Sequence, residues 1–320
     1  MYGYETFHEK TMLDLINAVR SGQARHAYIF EGDEGLAVYS SARLFAAALT
    51  CKSDAPPCGE CHICHISQAG TNPDIITVEA VKKKSIGVDE IREISADSYI
   101  KPFDSPKKVY IIKNAELMTP QAQNAFLKTL EEPPLFAVFI LLASDEENLL
   151  QTVRSRCITV RFPRVDEQTV RKYIDAHYPD CENKDFLVRY AAGIPMSIDA
   201  VVGEEGFPEL RKEAFDALAR VMSSRKLDAY EVADFLEKNK DSVGFILELW
   251  IDFVRDIILI QNDCASLVVN TDFMPRLTRA ASSVDERKTV RTQELLIKAV
   301  KMNKRYVNTR ALALWLGLGA

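Results

Sequence analysis

Two short apolar runs on either side of a capped helix constrain the fold of this chain more than any other feature. The first run covers residues 109–112, the second covers residues 137–143, and Thr119 followed by Pro120 lies between them. Threonine is a favoured N-cap residue, and proline suits the first helical position, where a backbone N–H would have no helical partner. Buried strands that alternate with helices over short connections are typical of a parallel sheet with crossover helices. Residues 108–157 are therefore predicted to belong to an α/β domain.

Further elements of the same kind are predicted on the N-terminal side. An amphipathic helix is expected at residues 8–20, the first strand at residues 26–30 and a helix at residues 36–49. Leu13 is one of the apolar positions assigned to the buried face of the first helix. Another strand is expected at residues 74–79, which extends the alternation of strands and helices.

The pattern changes to helices after Pro163. A helix is expected to open at Asp166, and the apolar spacing is helical from about Leu210 onward. The clearest segments with this spacing are residues 228–238, 243–262 and 294–318. A chain of 320 residues is long enough for two or three domains, so a mostly helical C-terminal part is predicted.

Composition and charge restrict the class of protein. Hydrophobic residues make up 47% and charged residues 27% of the chain, which is ordinary for a soluble protein with sizeable cores. A net charge of -6 argues against a protein that coats nucleic acid over its whole surface. No run approaches the roughly 18–20 apolar residues that span a bilayer, and the first residues lack the features of a signal peptide. These observations predict a cytoplasmic protein without a membrane partner.

A cluster of cysteines predicts a structural metal site. Four of the seven cysteines fall within a short segment, with the pattern Cys-x6-Cys-x2-Cys-x2-Cys, at Cys51, Cys58, Cys61 and Cys64. Four thiolates satisfy tetrahedral Zn²⁺ and leave no open position for water, so the predicted zinc is structural. His62 and His65 are substitute ligands in principle, but the four cysteines already complete the site. The alternative is a loop of free thiols.

A glycine turn between the first strand and the next helix stands where a phosphate loop belongs. Gly32 and Gly35 are present, but Val38 occupies the lysine position and Tyr39 the hydroxyl position. Valine cannot neutralise a phosphate, and tyrosine cannot offer Mg²⁺ a short hydroxyl ligand. The acidic residue expected after the third strand is replaced by Lys113. ATP binding in cis is therefore not expected, and the segment is interpreted as a structural strand-to-helix turn.

Three segments resemble a known family. Residues 108–112, 124–134 and 154–157 are similar to the AAA+ core of the clamp-loader subunits of bacterial DNA polymerase III. The tau/gamma and delta-prime types of subunit share these motifs, and the four-cysteine module belongs to the same resemblance. The similarity covers residues 5–205 well and the rest weakly. It implies an α/β AAA+ module with a parallel sheet, flanking helices and a zinc insertion.

The resemblance also implies a division into three domains. The AAA+ nucleotide-type domain would cover residues 1–164 with the zinc module at 51–64, a small helical lid would cover 165–207, and an all-α collar for oligomerisation would cover 208–320. Where an active subunit carries an arginine in the lid, this chain has Ile198. That replacement is a further loss at the cis nucleotide site.

Arg156 is the residue to which the resemblance assigns a role in catalysis. It follows Ser155 in a motif similar to the Ser-Arg-Cys motif of clamp loaders, in which the arginine reaches across a subunit interface to the ATP of the neighbouring subunit. A guanidinium near the γ-phosphate stabilises the charge that develops there. Arg154 is the lesser candidate, and an ordinary ion-pair arginine is the alternative.

The replaced residues at the nucleotide site decide between the two types of subunit. Tau/gamma needs an intact phosphate loop, whereas this chain also has Ala37 in place of the loop's third glycine. The resemblance therefore implies a delta-prime stator in a hetero-pentamer with tau/gamma and delta, which loads the sliding clamp on primed DNA. It would have no ATPase activity of its own. Any polymerase activity would belong to the holoenzyme of which this subunit is a part. The alternatives are a tau/gamma-like ATPase with an atypical loop, or a zinc-module scaffold unrelated to replication.

The remaining charged and thiol groups carry weaker predictions. The lysine run at residues 82–84 is interpreted as a solvated turn, with a role near DNA as the alternative. A C-terminal basic stretch is assigned to a solvated helical face, with DNA or partner contact as the alternative, and comprises Arg287, Lys288, Arg291, Lys298, Lys301, Lys304, Arg305 and Arg310. Cys157, Cys181 and Cys264 are scattered and are predicted to be packed or inert.

Overall fold

A computed structural model describes residues 5–80, 85–181, 183–202, 206–223, 226–303 and 308–319. The lysine run at 82–84, the basic residues Lys304 and Arg305, and the first four residues lie outside the described part, so the predictions made for them are untested. The chain divides into two compact units. The first unit comprises Met1–Thr169 and Gly193–Met196, and the second comprises Val170–Ala192 and Ser197–Ala320. The predicted division into three domains stays a prediction.

The first unit is built on a five-stranded parallel sheet. Its strands are β1 Ala27–Glu31, β2 Ile75–Val78, β3 Lys108–Ile112, β4 Ala137–Ala143 and β5 Ile158–Arg161. They lie in the order β2-β3-β4-β1-β5, and each neighbouring pair is parallel. The prediction of a parallel sheet with crossover helices is therefore confirmed, and the arrangement is AAA+-like.

Helices cover both faces of this sheet. They are α1 Glu9–Arg20, α2 Val38–Thr50, α3 His62–Gln68, α4 Val88–Ser98, α5 Pro120–Glu131 and α6 Gln151–Arg154. Because successive side chains of a strand point to opposite faces, Phe30 packs into the core shared with α1 and α2, whereas Ile29 packs into the core shared with α4 and α5. One detail of the sequence prediction is wrong. Leu13 is 43% exposed, because α1 buries Met12, Leu15 and Ile16 instead.

The predicted start of α5 is confirmed in atomic detail. Thr119 has an extended backbone and its Oγ1 accepts a hydrogen bond from the backbone N–H of Ala122 at 3.2 Å. Pro120 occupies the first turn, where it costs no hydrogen bond. The far end of the helix is Glu131, directly before the sequence Glu-Pro-Pro that ends it.

The second unit is helical. Its helices are α7 Glu167–His177 (whose first residues belong to the first unit), α8 Lys184–Ala191, α9 Asp199–Val202, α10 Phe207–Ser223, α11 Lys226–Lys238, α12 Val243–Gln261, α13 Met274–Ser283, α14 Glu286–Asn303 and α15 Thr309–Gly319. Trp250 is fully buried in its core and donates from Nε1 to the carbonyl oxygen of Ala214 at 2.7 Å. The boundaries predicted for the last segment are wrong, because α14 begins earlier, at Glu286, and a separate helix begins at Thr309.

The helices of the described ranges were also considered as membrane spans. None of them combines the length and the apolar character that crossing a bilayer requires.

Candidate functional site

The four predicted metal ligands come together between α2 and α3. Cys51 follows the last residue of α2, and Cys61 is the N-cap of α3. All four Sγ atoms lie within 4.8 Å of one another. The separations are 3.7 Å for Cys51–Cys58 and 3.9 Å for both Cys51–Cys61 and Cys58–Cys64. A tetrahedron of sulfurs at the usual Zn–S distance has edges of about 3.8 Å, so the cluster has the size that a metal ion requires.

Backbone N–H groups point at the sulfur atoms of this cluster. The N–H of Cys61 donates to Sγ of Cys58 at 3.4 Å, and the N–H of Cys64 donates to Sγ of Cys61 at 3.4 Å. The N–H groups of Glu60 and Cys61 lower the pKa of the Cys58 thiol to about 6, whereas burial raises the pKa of Cys64. A bound cation would favour the thiolate at every position. The four cysteines could thus bind a metal ion, and both neighbouring histidines are exposed outside the cluster.

The turn after β1 uses its own backbone donors. Residues Glu34–Leu36 form a short 3-10 helix. The N–H of Leu36 donates to the carbonyl oxygen of Asp33 at 3.0 Å, and the N–H of Ala37 donates to that of Glu34 at 3.2 Å. A phosphate loop instead leaves such N–H groups open to cradle phosphate oxygens. The N–H groups of Leu36 and Ala37 are therefore already bonded within the turn and are not available to a phosphate.

The glycine and the valine of this turn serve packing. A Cβ atom on Gly32 would lie 2.8 Å from the carbonyl oxygen and 2.9 Å from the Cβ atom of Phe162, so only glycine fits beside the chain that follows β5. Val38 is 3% exposed and belongs to the core beneath the sheet. Gly35 lies within the 3-10 helix and does not have a positive φ angle.

Tyr39 and Lys113 approach each other at the place that the sequence assigned to nucleotide chemistry. Lys113 Nζ lies 4.9 Å from the centroid of the Tyr39 ring and 3.1 Å from Oε2 of Glu79. The Tyr39 hydroxyl lies 3.3 Å from Oγ1 of Thr77. The cavity beside these groups has a volume of about 190 Å³. Pockets for drug-sized ligands have volumes of about 300–1,000 Å³. This space is therefore small for a nucleoside triphosphate.

Glu116 is tied to the neighbouring strand end. Its Oε1 accepts a hydrogen bond from Oγ of Ser144 at 2.9 Å. The residue lies in a short 3-10 helix at residues 115–117, beyond β3, and lines the same small cavity. A single carboxylate with this partner offers Mg²⁺ little, because the loop provides neither the lysine nor the short hydroxyl that accompany such a carboxylate in an NTPase.

Arg156 lies just beyond α6, with its side chain 31% exposed. Its Nη1 donates to the carbonyl oxygen of Thr152 at 2.7 Å and to Oγ of Ser155 at 3.3 Å. Its Nη2 donates to the carboxylate of Glu131 at the end of α5. Arg154 differs, because its Nε is buried without a hydrogen-bond partner in the described part of the chain. The two arginines therefore differ in their hydrogen bonds, although both are of intermediate burial.

Two further positions from the sequence analysis, Ile198 and Cys157, are buried or partly buried. Ile198 is completely buried in the second unit, where an arginine would face a large desolvation cost. Burial raises the pKa of the Cys157 thiol to about 12, which agrees with the prediction that this cysteine is unreactive.

The sequence analysis missed two contacts of this region, Lys113 with Tyr39 and Arg156 with Glu131. In each pair the residues are far apart in sequence, so no local spacing reveals the contact. The adjacent Glu131 and Glu132 at the end of a helix were the only available signal for the second pair.

The sheet order and the flanking helices define an AAA+-like module. The family model described as "DNA polymerase III, delta subunit" matches residues 7–166, which is half of the chain. The chain belongs to this family of DNA polymerase III clamp-loader subunits.

Curated relatives carry similar names. The chain is 34% identical over 196 residues to DNA polymerase III subunit tau/gamma of Haemophilus influenzae, which is 59% of this chain and 28% of that protein. It is 33% identical over 193 residues to subunit delta' of the same organism, 60% of this chain and 59% of that protein. The chain thus spans less than two thirds of the length of these relatives.

Solved structures resemble the chain more loosely. A gamma subunit-related protein of DNA polymerase III from Thermotoga maritima is 18% identical with a TM-score of 0.43, covering 96% of this chain and 99% of that one. A DNA clamp loader delta protein from Bacillus subtilis is 14% identical with a TM-score of 0.39, covering 96% of this chain and 98% of that one.

Proposed function

We propose that this chain is a delta-prime type subunit of the DNA polymerase III clamp loader, which does not hydrolyse ATP and acts on the ATP of a neighbouring subunit. It would be a stator in a hetero-pentamer with tau/gamma and delta subunits. The assembled complex would load the sliding clamp on primed DNA in the cytoplasm. Within this proposal the three predicted domains, at 1–164, 165–207 and 208–320, are the AAA+ module, the lid and the collar.

The turn after β1 is the observation that carries this proposal. Two of its backbone N–H groups, those of Leu36 and Ala37, are hydrogen-bonded within the turn. Val38 is packed in the core, and Tyr39 and Lys113 occupy the adjoining space. Each of these features removes a different requirement of triphosphate binding. N–H groups that are bonded within the turn are not available to phosphate oxygens. Without the lysine, the negative charge of the phosphates has no partner. They support a subunit without a working cis site and disfavour a tau/gamma-like ATPase.

Arg156 would supply the catalytic group in trans. Arginine keeps its charge at any physiological pH and offers a planar fork of donors to phosphate oxygens. Ser155 would help to hold it, since its Oγ accepts from the guanidinium at 3.3 Å. An arginine supplied by a neighbouring chain contributes about 10³–10⁵-fold to turnover in other NTPases, so a single residue can carry this function.

The cysteine cluster would hold structural zinc. The sulfur separations of 3.7–3.9 Å and the N–H groups directed at sulfur fit a closed four-thiolate site. Such an ion would fix the segment between α2 and α3, which has few apolar residues of its own. It would take no part in hydrolysis, because no ligand position is left for water.

ATP binding to the purified chain separates the alternatives. Calorimetry at millimolar ATP with Mg²⁺ should give no binding heat, and ATP should not raise the melting temperature. The tau/gamma subunit of the same organism serves as the positive control. Micromolar binding would favour the tau/gamma-like alternative. Failure to form a complex with tau/gamma would favour a scaffold unrelated to replication.

The trans role is tested by Arg156→Ala in the reconstituted complex. We expect normal folding and assembly, with DNA-stimulated ATP hydrolysis reduced by at least tenfold at the site that this subunit faces. Arg92→Ala is a suitable control, because Arg92 is 71% exposed and its ion pair among the described residues is with Asp89 on its own helix. Unchanged hydrolysis with Arg156→Ala would remove the assignment of the finger.

A further inference from the structure

The guanidinium of Arg156 rests between the ends of two helices. Thr152, whose carbonyl oxygen accepts from Nη1 at 2.7 Å, belongs to α6, and Glu131 is the last residue of α5. The final carbonyl groups of α5 leave a partial negative charge near Glu131, which adds to that of the carboxylate. Two helix ends and one carboxylate therefore define where this guanidinium lies.

The contacts leave part of the guanidinium available. Arginine has five N–H donors, and the contacts with Thr152, Ser155 and Glu131 use three of them. The side chain of Arg156 is 31% exposed, and the two remaining donors are the Nε–H group and one N–H of Nη2. A bidentate contact with phosphate oxygens needs two donors, so the guanidinium can engage a phosphate without giving up the contacts that hold it.

We propose that Glu131 is a positioning residue for Arg156. Its carboxylate would hold the guanidinium in one orientation, so that the two free donors face a phosphate group carried by a neighbouring chain. The inference rests on the proposed function of Arg156. It concerns Glu131, a residue that does not touch the nucleotide itself.

The size of the effect follows from the exposure of the pair. Arg156 and Glu131 have side-chain exposures of 31% and 49%, so solvent screens their attraction. A long arginine side chain loses considerable rotamer freedom when it is held, and a carboxylate that holds it beforehand reduces this cost in the transition state. The loss of one exposed ion pair corresponds to about a two- to fivefold change in rate.

Electrostatics alone would give Glu131 the opposite role. A carboxylate beside the finger reduces the positive charge that a phosphate experiences, and would then act as a brake. We favour positioning because Glu131 shares the guanidinium with two further acceptors and leaves a donor pair open. The two roles predict opposite signs when the carboxylate is removed.

The chain provides a matched control next to the test position. Glu131→Ala and Glu132→Ala remove the same charge from the same helix end. The Glu132 side chain is exposed and makes no hydrogen bond or ion pair with the described residues. In the complex reconstituted with tau/gamma and delta subunits, Glu131→Ala should lower kcat of DNA-stimulated ATP hydrolysis by about two- to fivefold with little change in KM. Glu132→Ala should change neither.

A conservative variant and a double mutant complete the test. Glu131→Gln keeps an oxygen that accepts from the guanidinium, so it should retain most of the activity. In the Arg156→Ala background, Glu131→Ala should have no further effect, because the two residues would act as one unit. An equal loss in both backgrounds, an increase in kcat, or identical results for Glu131→Ala and Glu132→Ala would overturn the inference. The proposed function is judged separately, by Arg156→Ala. If that variant lowers turnover, the proposed function stands even when the inference on Glu131 fails.

Discussion

The ammonium group of Lys113 lies over the ring of Tyr39, 4.9 Å from its centroid. A nucleotide site would have an acidic residue and a small hydroxyl at these two positions. Here an attractive contact between a cation and an aromatic face joins them instead. The two side chains therefore complement each other at positions where a nucleotide site would have ligands for Mg²⁺.

Replacing Val38 by lysine should not restore ATP binding. The N–H groups of Leu36 and Ala37 remain hydrogen-bonded within the turn, and Tyr39 and Lys113 remain in place. Because position 38 is 3% exposed, the new ammonium group would be partly desolvated, and we expect a loss of about 1–3 kcal/mol of stability. Calorimetry with ATP and urea unfolding followed by circular dichroism measure the two effects. A gain of micromolar binding would contradict this prediction.

Asp74 should stabilise the loop before β3. Its carboxylate is buried and accepts backbone N–H bonds from Phe103 at 2.6 Å, Asp104 at 3.0 Å and Ser105 at 2.9 Å. Asp74→Asn removes the charge and replaces one acceptor oxygen by an NH₂ group. We expect a loss of about 2–4 kcal/mol of stability and faster amide hydrogen exchange at residues 103–105. Asp54→Asn, on an exposed residue, should show neither effect.

The contribution of Asp74 should also depend on pH. Burial alone would raise the pKa of this carboxyl, but the N–H donors of Asp104 and Phe103 outweigh it and hold the pKa below its ordinary value of 3.8. The stabilisation is therefore complete above about pH 4 and disappears as the pH falls through the lower pKa of the folded state. Urea unfolding of the wild type and of Asp74→Asn should converge at acidic pH. A constant difference would contradict this explanation.

The metal site predicts different outcomes for two cysteines. Cys64→Ser should reduce bound zinc to well below one ion per chain and lower the melting temperature, because it removes a ligand from the four-sulfur cluster. Cys264→Ser should retain the metal, because Cys264 lies outside the cluster. Elemental analysis and thermal unfolding provide the measurements. Wild-type protein purified without bound metal would refute the assignment.

Arg211 should be essential to the second unit. Its side chain is 4% exposed, pairs with Asp272 at 2.7 Å and lies 3.6 Å from the centroid of the Phe186 ring. Arg211→Met leaves Asp272 without its charged partner, so we expect a loss of about 3–5 kcal/mol.

Arg220 provides the control for this substitution. It pairs with Glu231 at the surface, with exposures of 45% and 59%, so Arg220→Met should cost less than about 1 kcal/mol. Both tryptophans of the chain, Trp250 and Trp315, lie in the second unit, so their fluorescence during urea unfolding reports on it. Equal losses for the two variants would contradict the prediction.

Local patterns were sufficient for the main elements of the fold. The apolar run at residues 137–143 coincides with β4, and the Thr119 cap and Pro120 placed the start of α5 correctly. These features depend on neighbouring residues and on burial, which a sequence displays directly. The error at Leu13 has a similarly simple cause. A narrow helix of this kind buries only one stripe, and an apolar residue beside the stripe remains exposed.

The environment of the candidate sites could be predicted only in part. The spacing of the cysteines predicted the cluster, because the ligands lie close together in the sequence. The contacts of Lys113 with Tyr39 and of Arg156 with Glu131 depend on the packing of separate elements. The sequence shows which residues depart from the phosphate-loop pattern, and the structure shows the contacts that these residues make.

The turn that follows β1 has a physiological consequence. The N–H groups of Leu36 and Ala37 bond to carbonyl oxygens of the same turn, and Gly32 lies close to Phe162. If the chain binds no ATP, as we propose, the shape of this segment would be independent of the ATP concentration. In a starved cell, where subunits that respond to nucleotide would change state as ATP falls, this part of the molecule would keep the same geometry.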